Sequence, residues 1–266
     1  MQRSEPETSI LINCNYDLDS PSPGLISEIS KVHSNSETPG IKFLGIFFDP
    51  LLNFKYHLKT ISSKIARSLY FLRSAKNFLT MSALKSVYYS LIHCHLIYGI
   101  QIWSCTSSSN YSDLVTKQKN AIRIISLGKY NAHTESLFKN LKILRLHDLI
   151  KFFKLQFVQR FIHGYLPLSL SDMWITNGDR RNQEQIAEGA SLLNDSDLYI
   201  PLVRYNYLDN SPIFGFPRLW NEFDDGSIKL IQSKTEFNSK LKNYFLEPLA
   251  DNFVCSRLLC PHCHLN

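Results

Sequence analysis

From Tyr56 to Leu79 the apolar residues fall at Leu58, Ile61, Ile65, Leu69, Leu72 and Phe78, in three- and four-residue steps, with Lys59, Lys64, Arg67, Arg73 and Lys76 between them. That period predicts an amphipathic helix of about six turns, with an apolar stripe and basic flanks. A stripe of this length needs other helices to cover it, and the following sequence offers two. Thr80 can cap a second helix with Leu84, Val87, Tyr88, Leu91 and Ile92 on one face, running to about Tyr98 and closed by Gly99. The polar tract SCTSSSN, residues 104–110, reads as a loop. A third helix from about Ser112 to Ser126 buries Leu114, Val115, Ala121, Ile122 and Ile125 and shows Lys117, Lys119 and Arg123 outside. Three helices on short loops make a small antiparallel bundle.

The flanks read differently. Residues 1–40 carry weak signals: SILINCNY (9–16) as a short strand and LISEISKV (25–32) as one or two helical turns. IKFLGIFFD (41–49), between Gly40 and Pro50, reads as a buried strand. Beyond the bundle, helices are predicted over 133–141 and 146–166, the second ending near Gly164. Residues 172–196 are polar and read as a loop or linker. Residues 198–207 read as a strand, and 216–223 and 234–249 as helices. The predicted fold class is mainly α, in an α+β arrangement.

Charge narrows the range of partners. The whole chain is +6, yet between Lys55 and Arg160 there are 17 Lys and Arg and only three acids, Asp113, Glu135 and Asp148. A basic middle flanked by acidic ends points to a polyanion for the middle. No apolar run approaches the roughly 18 residues that span a bilayer, so no membrane partner is expected. MQRSEPETS, at the N-terminus, lacks the basic start and apolar stretch of a secretion signal. With six cysteines in a chain of 266 residues, the expectation is reduced thiols in the cytoplasm or nucleus, not secretion.

The order of the blocks carries a resemblance. KFLGIFFDPLLNFKYHL (42–58), YYSLIHCHLIYGIQIW (88–103), KQKNAIRIIS (117–126), HTESLFKNLKIL (133–144) and FPRLWNEF (216–223) followed by EFNSKLKNYF (236–245) resemble the C-terminal part of reverse transcriptases of jockey-like non-LTR retrotransposons. The resemblance covers about residue 41 to the end. It implies a palm remnant with its terminal strand over 1–54, a three-helix thumb over 55–130 and a helical extension over 131–170. A linker at 171–197 and a C-terminal α/β region at 198–250, with a small β element, complete the reading, and a Cys/His tail occupies 251–266.

In that family two metal ions, magnesium in the full-length protein, sit on palm aspartates, one pair within an aromatic-x-Asp-Asp hairpin. Two metals clamp the attacking and leaving oxygens of the phosphoryl transfer. No such motif occurs in this sequence. Asp17 to Asp19 lies in a Pro-bounded loop. Phe223-Asp224-Asp225 has its aromatic adjacent to the pair and lies beyond the thumb, and Asp225-Gly226 reads as a turn. No catalytic residue and no cofactor are therefore expected for this chain. The expected function is that of an RNA-directed DNA polymerase fragment that keeps the primer–template-binding thumb, encoded by a truncated open reading frame.

A thumb holds nucleic acid through its backbone, so the candidates are cations: Lys55, Lys59, Lys64, Arg67, Arg73, Lys76, Lys117, Lys119 and Arg123. The bland alternative is a solvated helical exterior. Tyr88, Tyr98 and Trp103 could stack on bases, but at helical spacing among Leu and Ile they read as core. His57, His93, His95 and His133 read as capping or packed residues. In the tail, Cys255, Cys260 and Cys263 with His262 and His264 hold enough soft ligands for a zinc site of Cys255, Cys260, Cys263 and His264, against the alternative of reduced thiols. The expected partner is an RNA–DNA hybrid or RNA, or a separate polymerase palm served in trans. The rival reading is a non-catalytic helical module that binds proteins. Removal of the palm is expected to expose apolar surface around Phe43, Ile46 and Phe48.

Overall fold

The computed structural model describes residues 11–12, 27–28, 40–128, 133–184, 196–201 and 210–247. The chain divides between Leu52 and Asn53 into two compact units.

In the first unit, strand β1 (Leu11–Ile12) pairs antiparallel with β2 (Ser27–Glu28). The second half of that pair falls where helical turns were expected. The segment read as one buried strand is a tight hairpin: β3 (Ile41–Phe43) runs antiparallel to β4 (Ile46–Phe48) in the register Ile41 to Phe48 and Phe43 to Ile46. Leu44 and Gly45 make the turn, both at positive φ (45° and 84°), the geometry that matches the twist of a two-residue hairpin. Ile46 is buried, Phe48 half-buried, and Ile41, Phe43 and Leu44 are exposed. Gly40 lets β4 approach, because a Cβ there would stand 2.7 Å from the Phe48 carbonyl oxygen.

The second unit begins with α1 (Lys55–Ala75), which buries Leu58, Ile61, Ile65, Leu69 and Leu72, the stripe the sequence predicts. It ends a turn earlier than expected, and Phe78 lies beyond it, 88% exposed. Thr80 caps α2 (Met81–Tyr88), its hydroxyl accepting from the Ala83 amide at 3.3 Å. The second helix then departs from a plain α-helix: Tyr89–His93 is a π turn, followed by α3 (Cys94–Ile97). Its cause is visible in the burial. Leu84, Tyr88, Ile92, Leu96 and Ile100 are all buried, an exact four-residue repeat. An α-helix with 3.6 residues per turn drifts about 40° at each four-residue step, and a wider turn takes up that drift. Gly99, at φ 62°, turns the chain into α4 (Ile100–Trp103). A 3₁₀ turn over Ser108–Tyr111 leads into α5 (Ser112–Ile125), which packs along α1.

Next come α6 (Thr134–Leu141) and α7 (Leu146–Ile162). Gly164, at φ 68°, closes α7: the Tyr165 amide donates back to the Arg160 carbonyl at 2.8 Å, a Schellman pattern. The polar stretch read as linker contains α8 (Asn177–Glu184). Thr176 and Asp179 explain it, since the Thr176 hydroxyl caps the helix by accepting from the Asp179 amide (3.0 Å) and is held there by donating to the Asp179 carboxylate (2.8 Å). Of the strand expected at 198–207, the described part is a single antiparallel bridge from Leu198 to Thr176. The Asn221 amide brackets Leu198 on both sides, accepting from its N–H (3.0 Å) and donating to its carbonyl (2.8 Å).

Three more helices, α9 (Pro212–Asn221), α10 (Gly226–Lys229) and α11 (Lys234–Leu246), close a second core with the C-terminal half of α7. Leu155, Val158, Trp174, Phe216, Trp220, Phe237 and Leu241 fill it. Pro217 lies inside α9 and has no N–H for the Ile213 carbonyl four residues back; the Trp174 indole donates to that carbonyl at 3.0 Å instead. Among the described residues no helix is long and apolar enough to cross a membrane. The protein is mainly α, with short antiparallel pairs, as predicted.

Candidate nucleic-acid interface

The Asn53 carbonyl, just before α1, accepts from Thr106 Oγ1 (3.0 Å) and Asn110 Nδ2 (3.2 Å). These bonds fasten the polar 104–110 loop to the first turn of α1 and set α5 beside it. Between the two helices runs a groove of about 330 Å³ lined by Lys55, Lys59, Ser62, Ser63, Asn110 and Asp113.

Asp113 is the first acidic residue after Lys55, 58 positions on. Ser62 donates to it from α1, and Lys117 Nζ donates to both its oxygens at 2.6 Å. Partial burial works against its ionisation, but the Lys117 and Ser62 bonds outweigh this and hold its pKa below the usual carboxylate range. The one acid in the groove is therefore matched by a cation, and Lys117 is committed to it.

The nine cations do not share one plane. All six from the first helical region are exposed. By helical phase Lys55, Lys59 and Arg73 lie within about 40° of each other, and the first two border the groove. Arg67 points outward. Lys64 lies on the opposite edge of α1, where its charge reaches His57 and His95. On α5, Lys119 and Arg123 are one turn apart. Lys119 acts on His147 of α7, and Arg123 Nη1 donates to Asn120 Oδ1 at 3.1 Å. The structure thus sets Lys55 and Lys59 on one side of the groove, opposite the Asp113 to which Lys117 is bound, and spreads the rest around the bundle.

Of the rings considered for stacking, Tyr88 and Trp103 are fully buried, as expected of core residues, whereas Tyr98 is 54% exposed. The sequence reading passed over Tyr70 and Phe71, which fall between the apolar stripe positions and are exposed. It also passed over two inward-facing polar groups. Gln118, 1% exposed, joins α5 to its neighbours. Lys154 on α7 turns inward, its Nζ 3.5 Å from the Ser104 carbonyl and over the Phe216 ring, and burial lowers its pKa. Both were legible only as polar residues on apolar faces.

His57 is packed, as expected. Burial, then repulsion from Lys64, brings its pKa down to about 4, and burial also lowers His93, His95 and His147. The folded state binds these protons more weakly than the unfolded chain, whose imidazoles titrate near 6.5. The His57 contribution to stability is therefore full above pH 6.5 and is lost as pH falls from about 6.5 towards 4, by up to about 1.4 kcal/mol per pH unit, and the other three histidines act in the same direction. Urea midpoints between pH 7.5 and 4.5 measure it, and His57→Gln should flatten the profile; a flat wild-type profile would contradict this assignment.

Among the described residues no three His, Cys, Asp or Glu side chains converge as a metal site. Asp225 does not form a turn alone: it caps α10, accepting from the Ser227 and Ile228 amides at 3.0 and 3.2 Å. Asp17–Asp19 and the tail set Cys255, Cys260, Cys263 and His264 lie outside the described residues.

No protein-family profile matches the chain, and no solved structure does. Three curated proteins of Drosophila melanogaster are similar to it. The RNA-directed DNA polymerase ascribed to transposon BS is 30% identical over 112 residues, 41% of this chain and 12% of that protein. The RNA-directed DNA polymerase from mobile element jockey is 26% identical over 148 residues, 53% of this chain and 16% of that protein. The one ascribed to transposon X-element is 25% identical over 133 residues, 49% of this chain and 14% of that protein. The match thus spans less than a fifth of the length of these relatives. Over about half its length, the chain is similar to the RNA-directed DNA polymerases of retrotransposons, the resemblance its sequence blocks carry.

Proposed function

We propose that this chain is a nucleic-acid-binding module related to reverse transcriptases, in which α1 and α5 act as a thumb that grips the backbone of an RNA–DNA hybrid. By itself it does not polymerise DNA, because its 266 residues contain no aromatic-x-Asp-Asp pair to hold magnesium. The observation that carries the reading is the α1 edge. Lys55, Lys59 and Arg73 are exposed on one edge along about 27 Å of helix, and no acid stands between Lys55 and Asp113. That length matches about eight phosphates of one strand at 3.4 Å each. Lys117 neutralises Asp113, so the groove beside that edge does not repel a phosphate.

Fluorescence anisotropy with a labelled RNA–DNA hybrid tests it. With about five phosphate contacts, the affinity should fall by two to three orders of magnitude between 50 and 200 mM salt. Binding that is absent in dilute buffer, or that ignores salt, overturns the proposal and leaves the protein-binding reading. Primer extension on an RNA template by the purified chain would overturn the second half of it.

A further inference from the structure

The far end of α1 carries a different surface. Tyr70 is 73% exposed, Phe71 52% and Phe78 88%. Phe71 lies one turn after Arg67 on the outward side of the helix, with Tyr70 beside it. Phe78 follows Phe71 by seven residues. It is kept near the helical path by the bond from its amide to the Ala75 carbonyl (3.0 Å) and by the Lys76 amide bond to Leu72 (3.1 Å). Among the described residues none of the three rings makes an aromatic or cation–π contact, and none of Arg67, Arg73 and Lys76 makes an ion pair. Three open rings and three open cations therefore share about 16 Å of helix and its C-terminal turn.

Three large exposed rings within about two turns of chain make the kind of apolar patch that marks a contact site. The cations and the missing acids set its sign: the partner is an anion with flat apolar faces. A duplex offers phosphates, but its bases are stacked on each other and closed to outside rings. A membrane surface offers anionic headgroups but no planar faces for rings to pair with. Unpaired nucleotides offer both features, and proteins that hold single strands combine cationic tracks with aromatic platforms.

We propose that Tyr70, Phe71 and Phe78, with Arg67, Arg73 and Lys76, form a binding site for a short stretch of single-stranded nucleic acid, beside the duplex-gripping edge of α1. This rests on the thumb reading and extends it: Arg73 belongs to the duplex-gripping edge and Arg67 lies between that edge and Phe71, at the point where a paired strand would give way to an unpaired one.

The test uses the full chain and three labelled probes: a 12-nucleotide oligo(dT), a blunt 12-base-pair RNA–DNA hybrid, and the hybrid with a six-nucleotide single-stranded overhang. The overhang should raise affinity about tenfold or more over the blunt hybrid. Phe71→Ala with Phe78→Ala should remove that gain, weaken oligo(dT) binding about tenfold or more, and leave the blunt hybrid within threefold. The loss should be equal at every salt concentration, because stacking releases no counterions, whereas Arg73→Ala should lower the salt slope by about one. Phe71→Leu with Phe78→Leu should behave like the alanine pair, since an aliphatic side chain cannot stack. Ellipticity and thermal midpoint serve as the folding control, and side chains this exposed should leave both unchanged.

Equal affinity for blunt and overhanging hybrids overturns the site while the thumb reading stands; failure to bind any of the three probes overturns both. Leucine variants that bind like wild type, or phosphatidylserine vesicles that bind in a ring-dependent way while oligo(dT) does not, assign the patch to an apolar or lipid partner and overturn the site.

Discussion

Replacing Gln118 with methionine is expected to remove about 4 kcal/mol of folding stability, a large share of the roughly 5–15 kcal/mol margin of a native protein. The side chain is buried, and three of its four hydrogen-bonding sites are directed at other elements. Its Nε2 donates to the Tyr88 hydroxyl of α2 (2.9 Å) and to the Leu144 carbonyl in the α6–α7 connection (3.0 Å), and its Oε1 accepts from the Leu146 amide at the start of α7 (2.8 Å). Methionine fills nearly the same space, so the loss is not a cavity effect. It is the cost of leaving a buried hydroxyl, carbonyl and amide without partners, about 1–3 kcal/mol each before relaxation. Tyr88→Phe supplies the check. It deletes one of the orphaned groups, so the double variant should be less destabilised than the sum of the singles by about 1 kcal/mol or more. Urea unfolding of the four proteins gives the cycle, and a Gln118→Met protein within 1 kcal/mol of wild type would refute the role.

The second large effect concerns binding. Lys55→Ala, Lys59→Ala and Arg73→Ala together should lower the slope of log affinity against log salt by nearly three and cut hybrid affinity by two to three orders of magnitude at 50 mM salt. These three share one edge of α1. Lys64→Ala with Lys119→Ala removes two charges of the same sign from other edges, and should change the slope by less than one. Charge is thus separated from position. If both sets reduce binding in proportion to the charges removed, the contact is diffuse attraction and not a grip. If the triple variant keeps its slope, the α1 edge carries no phosphate contact.

What the sequence made legible was local. The three- and four-residue steps of α1 as far as Leu72, the Thr80 cap and the Gly164 stop each depend on residues within a turn or two of one another, and these stand as predicted. Where two local signals competed, sequence reasoning chose wrongly. Asn177-Gly178 looks like a turn, but Thr176 and Asp179 cap the same residues into α8. Ile41–Asp49 looks like one apolar strand, because nothing in its composition marks Leu44 as the residue that takes positive φ. The π turn follows from an exact four-residue repeat that is easily read as an ordinary apolar face. For the interface, the identities of the cations were legible and their directions were not. A basic residue one or two positions along a helix turns to another edge. The Lys117–Asp113 pair is an i,i+4 contact within α5, but only the packing of α7 beside α5 brings the charge of Lys119 within reach of His147.

Helix α7 carries a consequence for the unit as a whole. Its first half puts Leu146, Leu149 and Ile150 into the interior beside α4 and α5, and its second half puts Leu155 and Val158 against Trp174, Phe216 and Phe237. Gln159 reaches further, donating to the Ile231 and Gln232 carbonyls (3.3 and 3.1 Å) ahead of α11. One rod is therefore a wall of two rooms. A chain break or a proline anywhere along it would strip lining from both, so the helical unit is expected to be kept or lost as a whole.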